Sequence, residues 1–391
     1  MNTTHSGIIM LLRSGMTGEK LTLSAEFDLT EGFEILRKQG VVAPAYQGAI
    51  HCGVAKDHPV MQKMLMISYQ ILMKHELQMK AVTKLFEAFE ANEISFMPLK
   101  GCNIKKLYPR PELRAMGDAD ILIHVEDHDR IRPLIEPLGF AFHSENDHVF
   151  EWKSKELFVE LHKSLVPPTD EDYYTYYGSG WQLAKKGNGF RHDMSVEDAY
   201  IFMFTHFARH YRGGGIGCRH VVDLFVYRRA YPEMDVEYIH QELHKLHLVE
   251  FHENILRMLD VWFLGAEGDG ATELITAFVF SGGNWGTMEA EMFSAQVKKA
   301  QKSGRVANSR WKSILLAIFP ARETLTYRYG ILRKCPMLLP VVWVIRWFYI
   351  LFVRRQNIRE RIQILESIDD GKIIGYEQAL RAVGLGFYFD S

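Results

Sequence analysis

The sequence has little cysteine: Cys52, Cys102, Cys218 and Cys335 are the only four in 391 residues. None stands in a Cys-x-x-Cys spacing, so neither a disulfide framework nor a thiolate metal module is indicated, and a reducing, cytoplasmic setting is expected. A secretory leader is not expected either. The apolar run Ile8 to Leu12 is too short for a leader core, and His5 is the only earlier residue able to carry charge. There is no evident internal repeat. Long apolar runs are scarce too: the longest, Met337 to Val353, is seventeen residues interrupted by Arg346, whereas a spanning helix needs about twenty and a central Arg costs roughly 2.5–3.5 kcal/mol on insertion. This tract is therefore not expected to cross a membrane.

What is present is enough apolar material, 47% of the residues, to bury a substantial core in two or three domains or subdomains. The most informative stretch is Leu99-Lys100-Gly101, followed after a helix-sized interval by Arg114-Ala115-Met116-Gly117-Asp118-Ala119-Asp120-Ile121-Leu122-Ile123. Side chains alternate along a strand, so Asp118 and Asp120 share one face while Ala119 and Ile121 point into the core. A third acid arrives in Leu157-Phe158-Val159-Glu160-Leu161-His162, where Phe158, Glu160 and His162 fall on one side. Converging carboxylates behind a Lys-Gly turn suit Mg²⁺ held against nucleotide phosphates.

These residues, with Met97-Pro98, Leu107-Tyr108-Pro109, Leu138-Gly139-Phe140, Ser195-Val196-Glu197-Asp198, His206, His210, Arg219 and Asp223, resemble the uncharacterised nucleotidyltransferase family of bacterial proteins. That family falls within the polymerase beta type superfamily, and the resemblance covers roughly residues 20 to 265. It implies an α/β (α+β) fold: a three-layer nucleotidyltransferase domain with a mixed sheet, flanked by a helical N-terminal extension and a helical C-terminal region. It implies a chemistry but no substrate, because fold alone does not fix function. One departure stands out: many superfamily members have Gly-Gly or Gly-Ser at the turn, and this chain has Lys100-Gly101-Cys102. Gly101 still lets the backbone approach a phosphate, and Lys100 adds a cation. Cys102 reads as a small buried filler.

The expected organisation is a helical extension over 1–92, a catalytic domain over 93–194, a helical subdomain closing over the site at 195–290, and a basic, aromatic-rich helical region over 291–391. Residues 17 to 92 read as helical, with Asp57 to Ala91 a long amphipathic segment whose methionine stripe is expected in the core. Strands are expected at Phe96–Leu99, Ala119–His124 and within 139–162, and helices at Asn103–Tyr108 and Glu126–Glu136. Ser195 with Asp198 starts a further helix. On it His206 and His210 stand one turn apart and, with Asp223, have the residue types of a zinc site. In the favoured reading His210, Arg212 or Arg219 reach phosphates or the acceptor; Arg219 and Asp223 are alternatively an i,i+4 pair.

The functional expectation is Mg-dependent transfer of a nucleoside monophosphate from an NTP to an unidentified acceptor, with release of pyrophosphate. Asp118, Asp120 and Glu160 are the expected catalytic residues and the ligands of two Mg²⁺ ions, which Mn²⁺ could replace. Lys100, Gly101, Arg114, His162, His210 and Arg219 are expected at the nucleotide, with a surface ion pair as the alternative for Arg114. The other reading is a catalytically silent nucleotide-binding or membrane-surface interaction protein on the same fold.

The small net charge of −2 hides an asymmetry: Lys298 to Arg361 holds fifteen Lys or Arg against Glu323 and Glu360. No motif of a specific nucleic-acid reader accompanies it. Residues 298–361, including Trp343, Trp347, Phe348, Tyr349 and Phe352, are expected either to make a peripheral contact with an anionic membrane or anionic polymer or to form a buried helix with solvated arginines.

Overall fold

Asn2 caps the first helix, α1 (Thr3–Thr17), by accepting from the His5 amide. The short apolar run that could not serve as a leader is the buried face of this helix, with Ile8, Leu11, Leu12 and Met16 nearly inaccessible. The expectation of helix from residue 17 onward thus missed α1, and helix is broken between α2 (Leu29–Lys38), α3 (Val42–His51) and α4 (Pro59–Ala91). Helices α1 and α3 meet backbone to backbone. A Cβ on Gly15 would lie 2.0 Å from the Pro44 carbonyl oxygen, and one on Gly48 would lie 1.8 Å from that of Leu11, so only glycine permits this approach. The structure is a computed structural model that describes residues 2–213, 215–282, 318–326, 329–353 and 370–386.

At about 1.5 Å per residue, the 33 residues of α4 make a rod of roughly 50 Å. Its two ends belong to different cores. Val60, Met61 and Met64 pack with α1, α2 and α3, whereas Val82, Leu85 and Phe89 pack under the sheet. The middle is bare: Met66 is 60% exposed and Met73 is 62% exposed, so only part of the methionine stripe is core.

The sheet has the order β1-β2-β5-β4-β3, from β1 (Phe96–Pro98), β2 (Asp118–Ile123), β3 (Ala141–Glu145), β4 (Val149–Lys153) and β5 (Phe158–His162). All neighbours are antiparallel except β2 and β5, which run parallel. One helix, α5 (Lys100–Ile104), follows β1 directly, earlier than the expected Asn103 start, and α6 (His128–Ile135) follows β2.

Strand β2 is buried on both faces because the two cores lie on opposite sides of the sheet. Ala119, Ile121 and Ile123 point to the core shared with α4, α6 and Val159 and Leu161 of β5, while Leu122 belongs to the opposite, helical core. Helices α7 (Glu171–Tyr177), α8 (Val196–Arg212), α9 (Cys218–Ala230), α10 (Val236–Lys245), α11 (Val249–Leu264) and α12 (Gly270–Ser281) build that second layer. Its apolar core is continuous with that of the N-terminal helices. Gln39 at the end of α2 fastens the two parts: its amide nitrogen donates to the carbonyls of Val279 and Gly282, and its oxygen accepts from the Cys218 amide. The result is helices, sheet, helices, a three-layer arrangement with a mixed sheet. Further on are helices Arg322–Thr326, Ile331–Lys334, Leu339–Val353 and Asp370–Arg381. Much of the basic tract from 298 to 361 lies outside the described residues.

Candidate active site

The register between β2 and β5 creates the acid cluster. Asp118 lies opposite Phe158, Asp120 opposite Glu160 and Leu122 opposite His162. In a parallel pair with this register, every second residue of both strands faces the same side, so Asp118, Asp120, Glu160 and His162 all turn toward the helical layer. Ligand atoms of Asp120, Glu160 and His162 lie within 4.8 Å of one another, and among the described residues this is the group able to hold a metal ion. Asp118 is outside that tight group but lines the same cavity.

The electrostatics of the cluster separate the two aspartates. Burial pushes the Asp118 carboxyl up, and the Asp120 and Glu160 charges push it further, to about 6. Burial acts on Asp120 in the same direction, yet it is held well below the usual carboxylate range by Lys100 and by the hydrogen bond and charge of His162. His162 Nε2 lies 3.1 Å from Asp120 Oδ1 and 3.4 Å from Glu160 Oε2. Burial opposes the imidazolium, but hydrogen bonds to these two acids raise its affinity for the proton. Lys100 Nζ stands 3.8 Å from Asp120 Oδ2 and 5.5 Å from the centre of the Phe202 ring. Lys100 and His162 thus both bear on Asp120 within a group of three acids.

The cavity, about 310 Å³, lies between this acid wall and a second wall formed by α8 and α9. His206, Arg209 and His210 come from α8, and Arg219, His220 and Asp223 come from α9. His210 Nε2 is 3.1 Å from His206 Nε2. Burial, then Lys100 and Arg209, keep His210 neutral down to about pH 4. His206 is held well below its ordinary value by burial and Lys100, and His220 by burial and Arg219. Among the described residues, the buried Nδ1 atoms of His220 and His162 meet no hydrogen-bond partner.

Several residues sit differently from expectation. Arg114 gives its Nε and Nη2 to the two carboxylate oxygens of Asp223 at 2.7 and 2.8 Å, and Tyr108 donates to the same acid at 2.7 Å. Its partner is therefore buried rather than a surface acid, although Arg114 still lines the cavity. Asp223 gives both carboxylate oxygens to this fork; its charge also acts on Arg219, whose Nη1 donates to the Ala115 carbonyl at 3.3 Å. The same commitment removes the third ligand from the zinc alternative. Arg212 is turned away from the cavity toward Asp172, 3.6 Å away, and the Gly386 carbonyl. Both Nε2 contacts of His162 go to acids. Gly101 lines the cavity, but a Cβ there would meet Arg114 Nη1 at 3.5 Å and Asp118 O at 3.6 Å, ordinary contacts, so neither backbone nor packing demands glycine at this position. Cys102 is a buried thiol pushed up to about 11 by burial and Asp120.

His148, His206, Arg209 and His220 were not singled out as nucleotide contacts by sequence reasoning, yet all line the cavity. The nearest sequence signal was the His206–His210 spacing, which places both rings on one helix face. His220 carried no such signal, since only the packing of α9 against α8 turns it inward.

A mixed sheet carrying two aspartates on one strand and a glutamate on its parallel neighbour, beside α5 and covered by helices, is the arrangement that the resemblance to nucleotidyltransferases leads one to expect. The sequence model of a family described as uncharacterised nucleotidyltransferase matches residues 25–264, and the chain belongs to that family. No curated protein and no solved structure matches it.

Proposed function

We propose that the protein moves a nucleoside monophosphate from an NTP to an acceptor hydroxyl or comparable nucleophile, releasing pyrophosphate. The observation that carries this reading is the β2–β5 register, which sets Asp120 beside Glu160 with Asp118 on the same face. The donor set fits a hard divalent cation: carboxylate oxygens predominate, one imidazole adjoins them, and Asp120 stays ionised throughout the physiological range. In this reading Asp118, Asp120 and Glu160 hold two Mg²⁺ ions, or Mn²⁺ in their place. Mg²⁺ bound there supplies charge neutralisation at the phosphates and Lewis-acid activation of the attacking oxygen.

The remaining work falls to the side chains. Lys100, His210 and Arg219, with Gly101 of α5 and Arg114 beside it, orient the triphosphate so that the acceptor attacks the α-phosphorus in line with the departing pyrophosphate. The new P–O bond forms to the acceptor as the bond between the α-phosphorus and the bridging oxygen breaks. Glu160, alone or with Asp120, accepts the acceptor proton. His162 holds both acids in place through Nε2.

The test is incubation of the protein with each α-labelled NTP, Mg²⁺ and a host lysate, followed by identification of the species that gains label. Label transfer that is lost in Asp120→Asn supports the reading. NTP binding without transfer to any species identifies the catalytically silent alternative.

A further inference from the structure

We propose that the helix Leu339–Val353 is a membrane-interface element that lies on an anionic lipid surface and carries the nucleotidyltransferase core with it. Three independent features meet in it.

The first is an exposed apolar stripe. Val341, Val344 and Ile345 are 52%, 44% and 52% exposed, and Phe348, 59% exposed, continues the row. At 100° per residue these four positions fall within an arc of about 100°, the width of the buried face of an interfacial helix. Met337, 88% exposed, precedes them in the turn before the helix.

The second feature is the position of the charge. Arg346, which argues against a spanning helix, falls on the side opposite the stripe by the same rotation. The stripe itself is therefore free of charge. The helix has 15 residues, and no helix among the described residues is long and apolar enough to cross a bilayer. A segment of this kind can lie in an interface without crossing it.

The third feature is the sign of the surrounding chain. From Lys298 to Arg361, fifteen basic residues face two acidic ones, and Arg354 and Arg355 follow the helix directly in sequence. Each basic residue near an anionic bilayer adds an attraction that salt screens. An uncharged or zwitterionic partner would leave this excess unmatched. Two tryptophans of the helix are already engaged with the protein: Trp343 Nε1 donates to the Pro320 carbonyl at 3.0 Å and Trp347 Nε1 to that of Ile318 at 2.7 Å. Phe319 packs edge-on against both rings. These contacts hold one side of the helix on the segment Ile318–Pro320, and Val341, Val344 and Ile345 lie on the other side.

The test is co-sedimentation of the full chain with vesicles of phosphatidylcholine alone or with 30–40% phosphatidylglycerol, at about 50 and 300 mM salt, with heparin and single-stranded RNA as soluble polyanion controls. The expected result is binding to the anionic vesicles at low salt, weakened at least tenfold at high salt. It is lost in Val344→Asp/Ile345→Asp and weakened severalfold in Arg354→Glu/Arg355→Glu, while NTP affinity stays at wild type in both variants. Absence of anionic-vesicle binding at low salt overturns the proposal. So does binding that Val344→Asp/Ile345→Asp leaves intact, because the attraction is then purely electrostatic. Tight binding to heparin or RNA without binding to vesicles assigns the tract to a polymer and overturns it equally. Loss of NTP binding in the wild type would strike the nucleotidyltransferase reading alone, since the vesicle assay contains no nucleotide.

Discussion

The two walls of the cavity are built on different principles. The sheet wall presents carboxylates at fixed two-residue spacing, and its geometry follows from the pleat and one strand register. The helical wall presents histidines and arginines from two helices, and what brings them together is the packing of α8 on α9 beneath a continuous apolar core. The first wall gathers negative charge and depends on cations to hold it; the second gathers positive charge around neutral imidazoles. The proposed NTP with its metal, a polyanion bearing cations at one end, would meet both walls at once.

That contrast can be broken at its hinge. Asp223 belongs to the helical wall but ties Arg114 and Tyr108 from the sheet side, with all three buried. Asp223→Ala leaves the Arg114 guanidinium uncompensated, and we expect a loss of about 3–5 kcal/mol in unfolding free energy by urea titration. A variant of unchanged stability would show that the fork does not join the walls.

On the sheet wall the expected effect is chemical rather than structural. Asp120→Asn should lower nucleotidyl transfer by about a hundredfold or more, equivalent to at least about 2.7 kcal/mol, with an unchanged circular dichroism spectrum. Activity within twofold of wild type would remove Asp120 from the site.

On the helical wall, Arg219→Ala and His210→Ala should raise the KM for NTP by about tenfold, or about 1.4 kcal/mol, with a smaller effect on kcat. The reverse pattern, kcat falling at constant KM, would move these residues from binding the triphosphate to the reacting centre.

The smallest expected effect sharpens the difference between the two aspartates. Asp118 titrates at about 6 when folded, above its value of about 3.9 in the unfolded chain. The unfolded state therefore releases this proton first, and stability falls as pH rises between those values. Asp118→Asn removes this penalty. In the absence of divalent metal we expect it to raise unfolding stability at pH 7 by about 1–2 kcal/mol, with no gain at pH 3, while it abolishes transfer. Mg²⁺ affinity of the wild type should fall below pH 6 as Asp118 takes up a proton. A Tm for Asp118→Asn below wild type at pH 7 would contradict the assigned repulsion.

Much of the sheet wall was legible in the sequence because its information is local. Period-two alternation in Asp118–Ile123 and Phe158–His162 states which side chains share a face, and the β2–β5 pairing then needs only one register. The first helix was missed for a corresponding reason: its apolar run is short, and what stabilises it is close approach to α3 through Gly15 and Gly48, a contact 33 residues away in sequence. The methionine stripe of α4 was placed wholly in the core because periodicity records amphipathicity but not where a partner ends, and α4 bridges two cores with an uncovered middle.

The sequence by itself determined the alternation of the acid strands, the family, and the basic excess of the C-terminal tract, all of which depend on residue type and near-neighbour spacing. Only the tertiary structure decided that Arg114 meets Asp223 across 109 residues, that His206, His210 and His220 face the acids, and that His162 is spent on Asp120 and Glu160. Those outcomes depend on how helices pack, and helix packing is set by the summed burial of many weakly directional apolar contacts, which no short stretch of sequence encodes.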